Sequence, residues 1–304
     1  MILTNEFIMM VGLSGSGKST FASKYNSSNS HLDTLVVSSD EIRARIYRNA
    51  QDQSHNNEVF EIAHKNIIEL LKSNYNVIFD ATNLTIKDRR SILQKIKNMP
   101  CIKRCIIMAT PIDICRERNG IRDRVVPDDV ITRQVNKFEV PFYEEGFDFI
   151  DIVVDGNCNY REMQIPDIDQ KNPHHKLTLK EHSERVFLNL KSDNDALLLA
   201  AYYHDIGKIY TQSFDEKGIA HYYHHANVGT YEVLTHGFDY PKYTGRHDWS
   251  SDCLEILFYI NYHMRPFDWT SDKTREKYRS IFGAIKFENL LLLHEADKAA
   301  QGGE

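Results

Sequence analysis

No apolar run approaches the eighteen or more residues that a membrane span requires, the longest candidates being Leu197 to Tyr203 and Ile256 to Ile260. A bilayer-spanning chain is therefore not expected. Cysteine is scarce as well: Cys101, Cys105, Cys115, Cys158 and Cys253 are odd in number and include no Cys-x-x-Cys pair. That excludes a disulfide framework and a thiolate zinc site as readings of the spacing. Gly (14) and Pro (8) are few in 304 residues, too few for collagen or for a loop-rich chain that resists forming a core. No positive region precedes the short apolar stretch within Met1 to Val11, and no small-residue cleavage site follows it. A cytoplasmic, intracellular chain is the expectation.

What is present is the ordinary composition of a folded protein, 41% hydrophobic and 26% charged, with length enough for two domains. The net charge of -6 is unevenly spread. Residues 1–150 hold 20 basic against 19 acidic side chains, and residues 151–304 hold 17 against 24. Histidine divides more sharply, three in the first half and eleven in the second. A surplus of His and Asp suits divalent metal better than a polyanion. Overall acidity does not exclude nucleic acid, because an enzyme acting on strand ends needs only a local basic patch.

A polar stretch from Gly156 to Lys176 breaks every period, which predicts a first domain over 1–156, a linker over 157–175 and a second domain over 176–304. Before the break, apolar runs at Glu6 to Val11, Leu35 to Ser38, Val77 to Ala81, Arg104 to Ala109 and Phe149 to Val154 alternate with helical patterns, the rhythm of a parallel α/β sheet. After it the strong patterns are helical: Leu179 to Leu190, Ala196 to Ile206, His225 to Leu234, Cys253 to His263 and Phe287 to Ala300.

Gly12-Leu-Ser14-Gly15-Ser16-Gly17-Lys18-Ser19 fits G-x-x-x-x-G-K-[ST], following an apolar strand and opening a helical stretch at Thr20. Such a loop turns backbone N–H groups toward phosphate, Lys18 reaches the terminal phosphates, and Ser19 can ligate Mg²⁺. ATP with Mg²⁺ is the expected cofactor. Asp40 falls at the carboxyl end of the next strand, where an acid can take a proton from an acceptor hydroxyl, although on spacing it reads equally as a helix N-cap. Asp80 ends the following strand, where it can hold water on Mg²⁺ or orient the acceptor, or again simply cap a helix. Arg116, Arg118, Arg122 and Arg124 crowd within nine residues, either a solvated helix face or a lid over a transferring phosphoryl group.

Gly12 to Ser19, Asp40 with Arg43, Asp80-Ala-Thr-Asn83, and Arg118-Asn-Gly-Ile-Arg122 leading to Pro127 together resemble the kinase domain of bacteriophage-type polynucleotide kinases over about the first 150 residues. The resemblance implies an α/β P-loop kinase. It also implies that Asp40 deprotonates a 5′-hydroxyl, that Arg43 holds the neighbouring nucleotide phosphate, and that Arg118 and Arg122 serve the phosphoryl group. A viral source is compatible with it. Many members add an Asp-x-Asp-x-Thr phosphatase; Asp167-Ile-Asp169 lies in a polar context and is not a convincing copy.

In the second half, His204-Asp205 ends an apolar helix, a costly placement for two polar side chains unless a cation offsets their desolvation. His182, His225, His263 and Asp297 lie on other helical patterns. His247-Asp248 repeats the dipeptide, but in a polar stretch, and ranks below it. The ordered set His182, His204-Asp205-x-Gly207, His225-x-x-x-Gly229, His263 and Asp297 resembles the HD superfamily of metal-dependent phosphohydrolases, an all-α fold, over Leu177 to Ala300. The resemblance implies one or two divalent transition metals of the Mn²⁺, Ni²⁺, Co²⁺ or Fe²⁺ type on these six residues. A metal of that type acidifies water from a pKa of about 15.7 to about 7. Lys208 can then bind a phosphate oxygen, or it can simply be a cation at a helix C-terminus.

A 5′-hydroxyl kinase joined to a phosphoesterase predicts an enzyme that heals RNA or DNA ends: ATP-dependent 5′-phosphorylation, and removal of 2′,3′-cyclic, 2′- or 3′-phosphate. A ligase is a candidate partner for the products. The alternatives are a small-metabolite or nucleoside kinase fused to an HD nucleotidase, and, from another class, a nucleotide-sensing module whose metal is only structural.

Overall fold

A computed structural model describes residues 5–28, 33–48, 54–122, 124–155, 163–173, 175–237 and 249–301. Cys158 and the His247-Asp248 repeat lie outside them. The chain divides into two compact units, Met1–Ile131 with Glu145–Asn157, and Thr132–Glu144 with Cys158–Glu304. Residues 132–144, which the sequence pattern assigns to the first domain, thus pack with the second.

The first unit is a five-stranded parallel sheet in the order β2-β3-β1-β4-β5, formed by β1 (Glu6–Val11), β2 (Thr34–Ser38), β3 (Asn76–Asp80), β4 (Ile102–Ala109) and β5 (Phe149–Val154). Its strands read as continuous apolar runs because helices cover both faces. Phe7 to Val11 and all of β3 are buried. Ile8, Met10, Ile78, Ile106 and Met108 pack with Ala22 of α1 (Lys18–Ser28) in one core cluster. Helices α2 (Ser39–Tyr47), α3 (Asn56–Lys72), α4 (Ile86–Leu93) and α5 (Ile112–Gly120) complete the alternation, and α6 (Asp128–Val135) runs across the division at Ile131. All strands are parallel, so the segments after β1, β2, β3 and β4 emerge at the same edge, where open α/β sheets place their ligands.

Inside this unit Arg89 of α4 and Glu145 are both fully buried. Arg89 donates from Nε and Nη2 to the Glu145 carboxylate, at 2.8 Å for the shortest contacts, and from Nη1 to the Asn83 carbonyl at 3.2 Å. The pair ties the loop after β3 to the rest of the fold.

The second unit is helical, as the apolar spacing predicts, with one exception. Helices α7 (Leu179–Asn189), α8 (Asp195–Tyr203), α9 (Lys208–Thr211), α10 (His225–His236), α11 (Trp249–Tyr262), α12 (Asp272–Phe282) and α13 (Ala284–Ala300) are joined by a two-residue-strand antiparallel hairpin, β6 (Ser213–Phe214) and β7 (Ala220–His221). Thr178 and Glu181 form a reciprocal capping box at the start of α7, and Asn194 caps α8 by accepting from Leu197 N at 2.9 Å. Phe142, Phe258, Tyr262 and Phe282 pack edge to face or tilted, with ring centroids 4.7–5.9 Å apart. Asn261 of α11 accepts from Val140 N and donates to the Phe138 carbonyl, which is why residues 132–144 belong here. No helix among the described residues is long and apolar enough to cross a membrane.

Candidate active sites

The phosphate loop occupies the turn between β1 and α1. Gly15 and Gly17 have φ of +84° and +89°, and a Cβ on Gly15 would lie 2.2 Å from the Cys115 carbonyl oxygen. Only glycine fits there. Ser19 Oγ donates to Asp80 Oδ2 at 2.7 Å, and Ser16 Oγ is buried without a hydrogen-bond partner. Lys18 is buried, its Nζ 2.7 Å from the Leu13 carbonyl. Burial pushes its pKa below the ordinary value, Asp80, Cys115 and Asp40 oppose that, and Arg122 adds to it. Loop, hydroxyl and carboxylate fit a nucleotide phosphate with a divalent cation, Ser19 and Asp80 being the groups that would face the cation.

Two readings left open by spacing are decided by geometry. The N-cap of α2 is Ser38, which accepts from Glu41 N at 3.3 Å, and the N-cap of α4 is Thr85. Neither Asp40 nor Asp80 caps a helix. Asp40, its side chain 56% exposed, instead pairs with Arg43 Nη1 at 2.8 Å and Arg124 Nη1 at 3.0 Å. Arg43 is itself buried and also donates to Asn56 Oδ1, so its guanidinium orients Asp40 directly. The arginine run is not a plain solvated face. Arg116 pairs with Asp128 and Arg118 with Asp155, both at 2.6 Å, while Asn119 clasps the Val126 backbone and steadies the loop. Arg122 is exposed.

In the second unit all six predicted ligands converge. His182 comes from α7, His204 caps the end of α8 with Asp205 next, His225 opens α10, His263 follows α11, and Asp297 lies in α13. Asp205 is at the centre, and its two oxygens face different partners. Oδ2 lies 3.3 Å from His204 Nε2, 3.5 Å from His182 Nε2 and 2.7 Å from Lys208 Nζ. Oδ1 lies 3.2 Å from His225 Nε2 and 3.7 Å from His263 Nε2. Asp297 Oδ1 is 3.1 Å from His182 Nε2. Two groups, His182 with His204 and Asp297, and His204 with Asp205 and His263, have ligand atoms within 4.8 Å of one another.

The protonation pattern tests whether a cation fits. Nδ1 of His204, His225 and His263 each lies 2.8 Å from the carbonyl oxygen three residues earlier. A carbonyl only accepts, so each Nδ1 carries a proton, and in the neutral ring Nε2 presents a lone pair. Against the opposing effect of burial, Asp205 and Asp297 raise the pKa of His204. His225 and His263 then bring two lone pairs to 3.1 Å beside Asp205. Nε2 of His182 and His204 is buried with no hydrogen-bond partner. A buried convergence of acceptors is stabilised by a cation, and imidazole with carboxylate is a donor set for divalent transition metals. Burial, with His204 and His225 as like charges, holds His263 down to a pKa of about 3, so it stays neutral. Against the opposing effect of burial, His182 and His204 keep Asp297 low, at about 2, and Lys208 and His204 keep Asp205 low.

Two glycines bring His225 to Asp205. A Cβ on Gly207 would lie 1.9 Å from the His225 carbonyl oxygen, and one on Gly229 would lie 2.8 Å from Gly207 N, so the two backbones pack without side chains between them. Lys208 is the first residue of the four-residue α9 and lies within its last turn as well. Its ammonium is buried against Asp205 and also donates to Gln170 Oε1 at 2.9 Å. Gln170 is a site residue that sequence reasoning placed in the linker, as is His175, whose ring lies 6.5 Å from that of His182 and whose pKa burial and Lys208 lower to about 4. The signal available in the sequence was only that histidine and apolar residues persist within an otherwise polar stretch. Asp169, by contrast, accepts from Lys171 N and serves a turn.

A nucleotide loop in one unit and a His/Asp metal centre in the other define a chain that joins a P-loop kinase domain to an HD domain, and the protein is an enzyme. Among known families, residues 7–141 match the one described as AAA domain, and residues 174–300 match the HD domain. ATP with Mg²⁺ for the first and divalent metal for the second follow from those classes. The chain is similar to L-seryl-tRNA(Sec) kinase of Methanococcus maripaludis, 26% identical over 178 residues, which covers 57% of this chain and 69% of that protein. Among solved structures it matches chains from a Pnkp1/Rnl/Hen1 RNA repair complex and from a Pnkp1/Rnl/Hen1 complex, each at 20% identity, with TM-scores of 0.41 and 0.34. It spans 54% and 42% of those chains, about half their length, and the matches cover 54% and 42% of this one.

Proposed function

We propose that the protein heals broken nucleic-acid ends: the first unit transfers the γ-phosphoryl group of ATP to a 5′-hydroxyl, and the second hydrolyses a 2′,3′-cyclic, 2′- or 3′-phosphate. The observation that carries the kinase half is Asp40. It is an accessible carboxylate, relieved of any capping role, oriented by Arg43 and Arg124 and close enough to Lys18 to influence its charge. In this reading Asp40 accepts the acceptor hydroxyl's proton, Lys18 binds the transferring phosphoryl oxygens, and Arg118 and Arg122 offset their charge.

In the second unit His182, His204, Asp205, His225, His263 and Asp297 would hold one or two cations of the Mn²⁺, Ni²⁺, Co²⁺ or Fe²⁺ type. A divalent cation held there supplies a nucleophile at neutral pH by acidifying water. Lys208, aimed by Gln170, binds a non-bridging phosphate oxygen. The products, a 5′-phosphate and a free 3′-hydroxyl, are what a ligase consumes, which makes a ligase the natural partner.

Two variants test this on an RNA bearing a 5′-hydroxyl and a 2′,3′-cyclic phosphate, with ATP, Mg²⁺ and a panel of transition metals. Asp40→Asn is expected to abolish 5′-labelling and spare phosphate removal, and His204→Ala to do the reverse. Failure of both activities in the wild type overturns the reading. The seryl-tRNA kinase likeness favours a second acceptor, a hydroxyl on an RNA-linked amino acid. Preference for seryl-tRNA over a 5′-hydroxyl oligonucleotide would select it.

A further inference from the structure

The hairpin β6–β7 separates α9, which begins at Lys208, from α10, which begins at His225. Gly207 and Gly229 already bring those two helices together, so the hairpin is not required to bridge them. Beside the polar Ser213, Asp215, Glu216 and Lys217, its exposed side chains include an aromatic ring, Phe214, and a second, Tyr223, follows directly after β7. Tyr223 is 67% exposed although one face of its ring stacks on His221, with centroids 5.5 Å apart and planes 5° from parallel. The other face is therefore open. Phe214 is 52% exposed, with the Lys171 ammonium 5.8 Å from its ring centre.

This surface is held rigidly to the metal centre. Ala220 N donates to the Lys171 carbonyl at 2.9 Å, and Asn172 Nδ2 donates to the Ala220 carbonyl at 2.8 Å. Tyr222 donates its hydroxyl to the Gln170 carbonyl, and the Lys208 ammonium lies 5.5 Å from the Tyr222 ring centre. Tyr222 thus turns inward beside Lys208 while Tyr223, the next residue, turns outward. The Asp215 carboxylate is turned to the hairpin's own backbone, accepting from Lys217 N and Ile219 N at 2.9 Å, and lies 3.4 Å from His221.

Flat ring faces interleaved with an ammonium suit a chain that alternates bases and phosphates, since every base offers a π-face regardless of sequence. We propose that His221–Tyr223 and Phe214–Lys171 form a stacking platform for unpaired bases of a single-stranded nucleic acid whose terminal phosphate enters at Asp205 and Lys208. This deepens the end-healing reading and rests on it: the platform supplies the ground on which the second unit selects a polynucleotide over a free phosphate ester.

The test uses the full chain with Mn²⁺ and a short single-stranded RNA whose 5′ end is blocked by fluorescein. Tyr223→Ala is expected to weaken anisotropy-detected binding about tenfold, the loss of one stacked base. It should lower kcat/KM for 3′-phosphate removal from the RNA relative to p-nitrophenyl phosphate by a similar factor. Tyr223→Phe and Tyr223→Trp keep a ring and should bind as the wild type does. Lys171→Gln should reduce the salt dependence of binding by about one phosphate contact. Melting of each variant at the wild-type temperature shows that the fold is retained. Wild-type binding by Tyr223→Ala overturns the platform, and so does Tyr223→Phe behaving like Tyr223→Ala. Tyr223-dependent binding with no hydrolysis of any end phosphate by the wild type sustains the platform and overturns the hydrolysis it was meant to serve.

Discussion

In the first unit the candidate proton acceptor, Asp40, has a side chain 56% exposed and leans on two arginines, Arg43 of its own helix and Arg124 of a loop. In the second, Asp205 has a side chain 5% exposed, ringed by four imidazoles and an ammonium gathered from five helices and their ends. The first arrangement suits a carboxylate that must meet a large incoming alcohol and release a proton. The second excludes water so that charges interact strongly, and it is costly unless a cation balances the acceptors. Changing a residue in the first site should therefore alter rate with little effect on stability. Changing one in the second should alter both.

The largest expected effect follows directly. Asp40→Asn should lower kcat for 5′-phosphorylation by about 10²–10⁴-fold, the usual contribution of a positioned base, with the melting temperature held. Asp205→Asn should lower both phosphoesterase activity and melting temperature. Kinetics and calorimetry on the full chain check the pair, and an equal loss of stability in both would break the contrast.

In the first unit a fully buried ion pair joins Arg89 to Glu145. Glu145→Ala leaves a fully buried guanidinium without its carboxylate and should cost about 3–5 kcal/mol, seen as a drop in the denaturant midpoint. The Asn83 loop depends on Arg89, so ATP binding should weaken with it.

Metal should act on the other unit. With Mn²⁺ at about 100 times its dissociation constant, stabilisation of about 2.7 kcal/mol is expected, reversed by chelator. The calorimetric transition that responds to metal should differ from the one that responds to Glu145→Ala. A shared response would merge what are here two separate cooperative units.

The smallest effect concerns pH. His64, buried beside Phe60 and Phe79 with Lys95 Nζ 3.2 Å from Nδ1, has its pKa lowered to about 4 by burial and by that ammonium. The unfolded chain takes up this proton near 6.5, before the folded one does. The stabilising contribution is complete above about pH 6.5 and declines as pH falls toward about 4. Urea midpoints of the wild type and His64→Phe should converge across that window; parallel curves would remove His64 as the cause.

Much of this was legible before folding. The phosphate loop is a local instruction, because glycine spacing decides which backbone angles are open, and the apolar runs decide which segments become buried strands. The ordered His/Asp set likewise stood out, since acid and imidazole at the ends of apolar helices need an explanation. Other features were ambiguous for physical reasons. An acid after a strand is a cap or a base depending on whether Ser38 or Asp40 itself accepts the helix N–H, a difference of two residues that propensity cannot resolve. Gln170 was hidden because a neutral amide in a polar stretch carries no signal until Lys208 reaches it across 38 residues.

By itself, then, the amino-acid order determined the main strands and helices and the nucleotide loop, which depend on neighbours a few positions apart, and offered an ordered set of candidate metal ligands. Only the tertiary structure decided that Asp205 turns one oxygen toward His182 and the other toward His225 and His263, and that Arg124 pairs with Asp40. It also decided that residues 132–144 pack with the helical unit. Those outcomes depend on contacts between segments distant in the chain, where close packing admits one arrangement and local preference is silent.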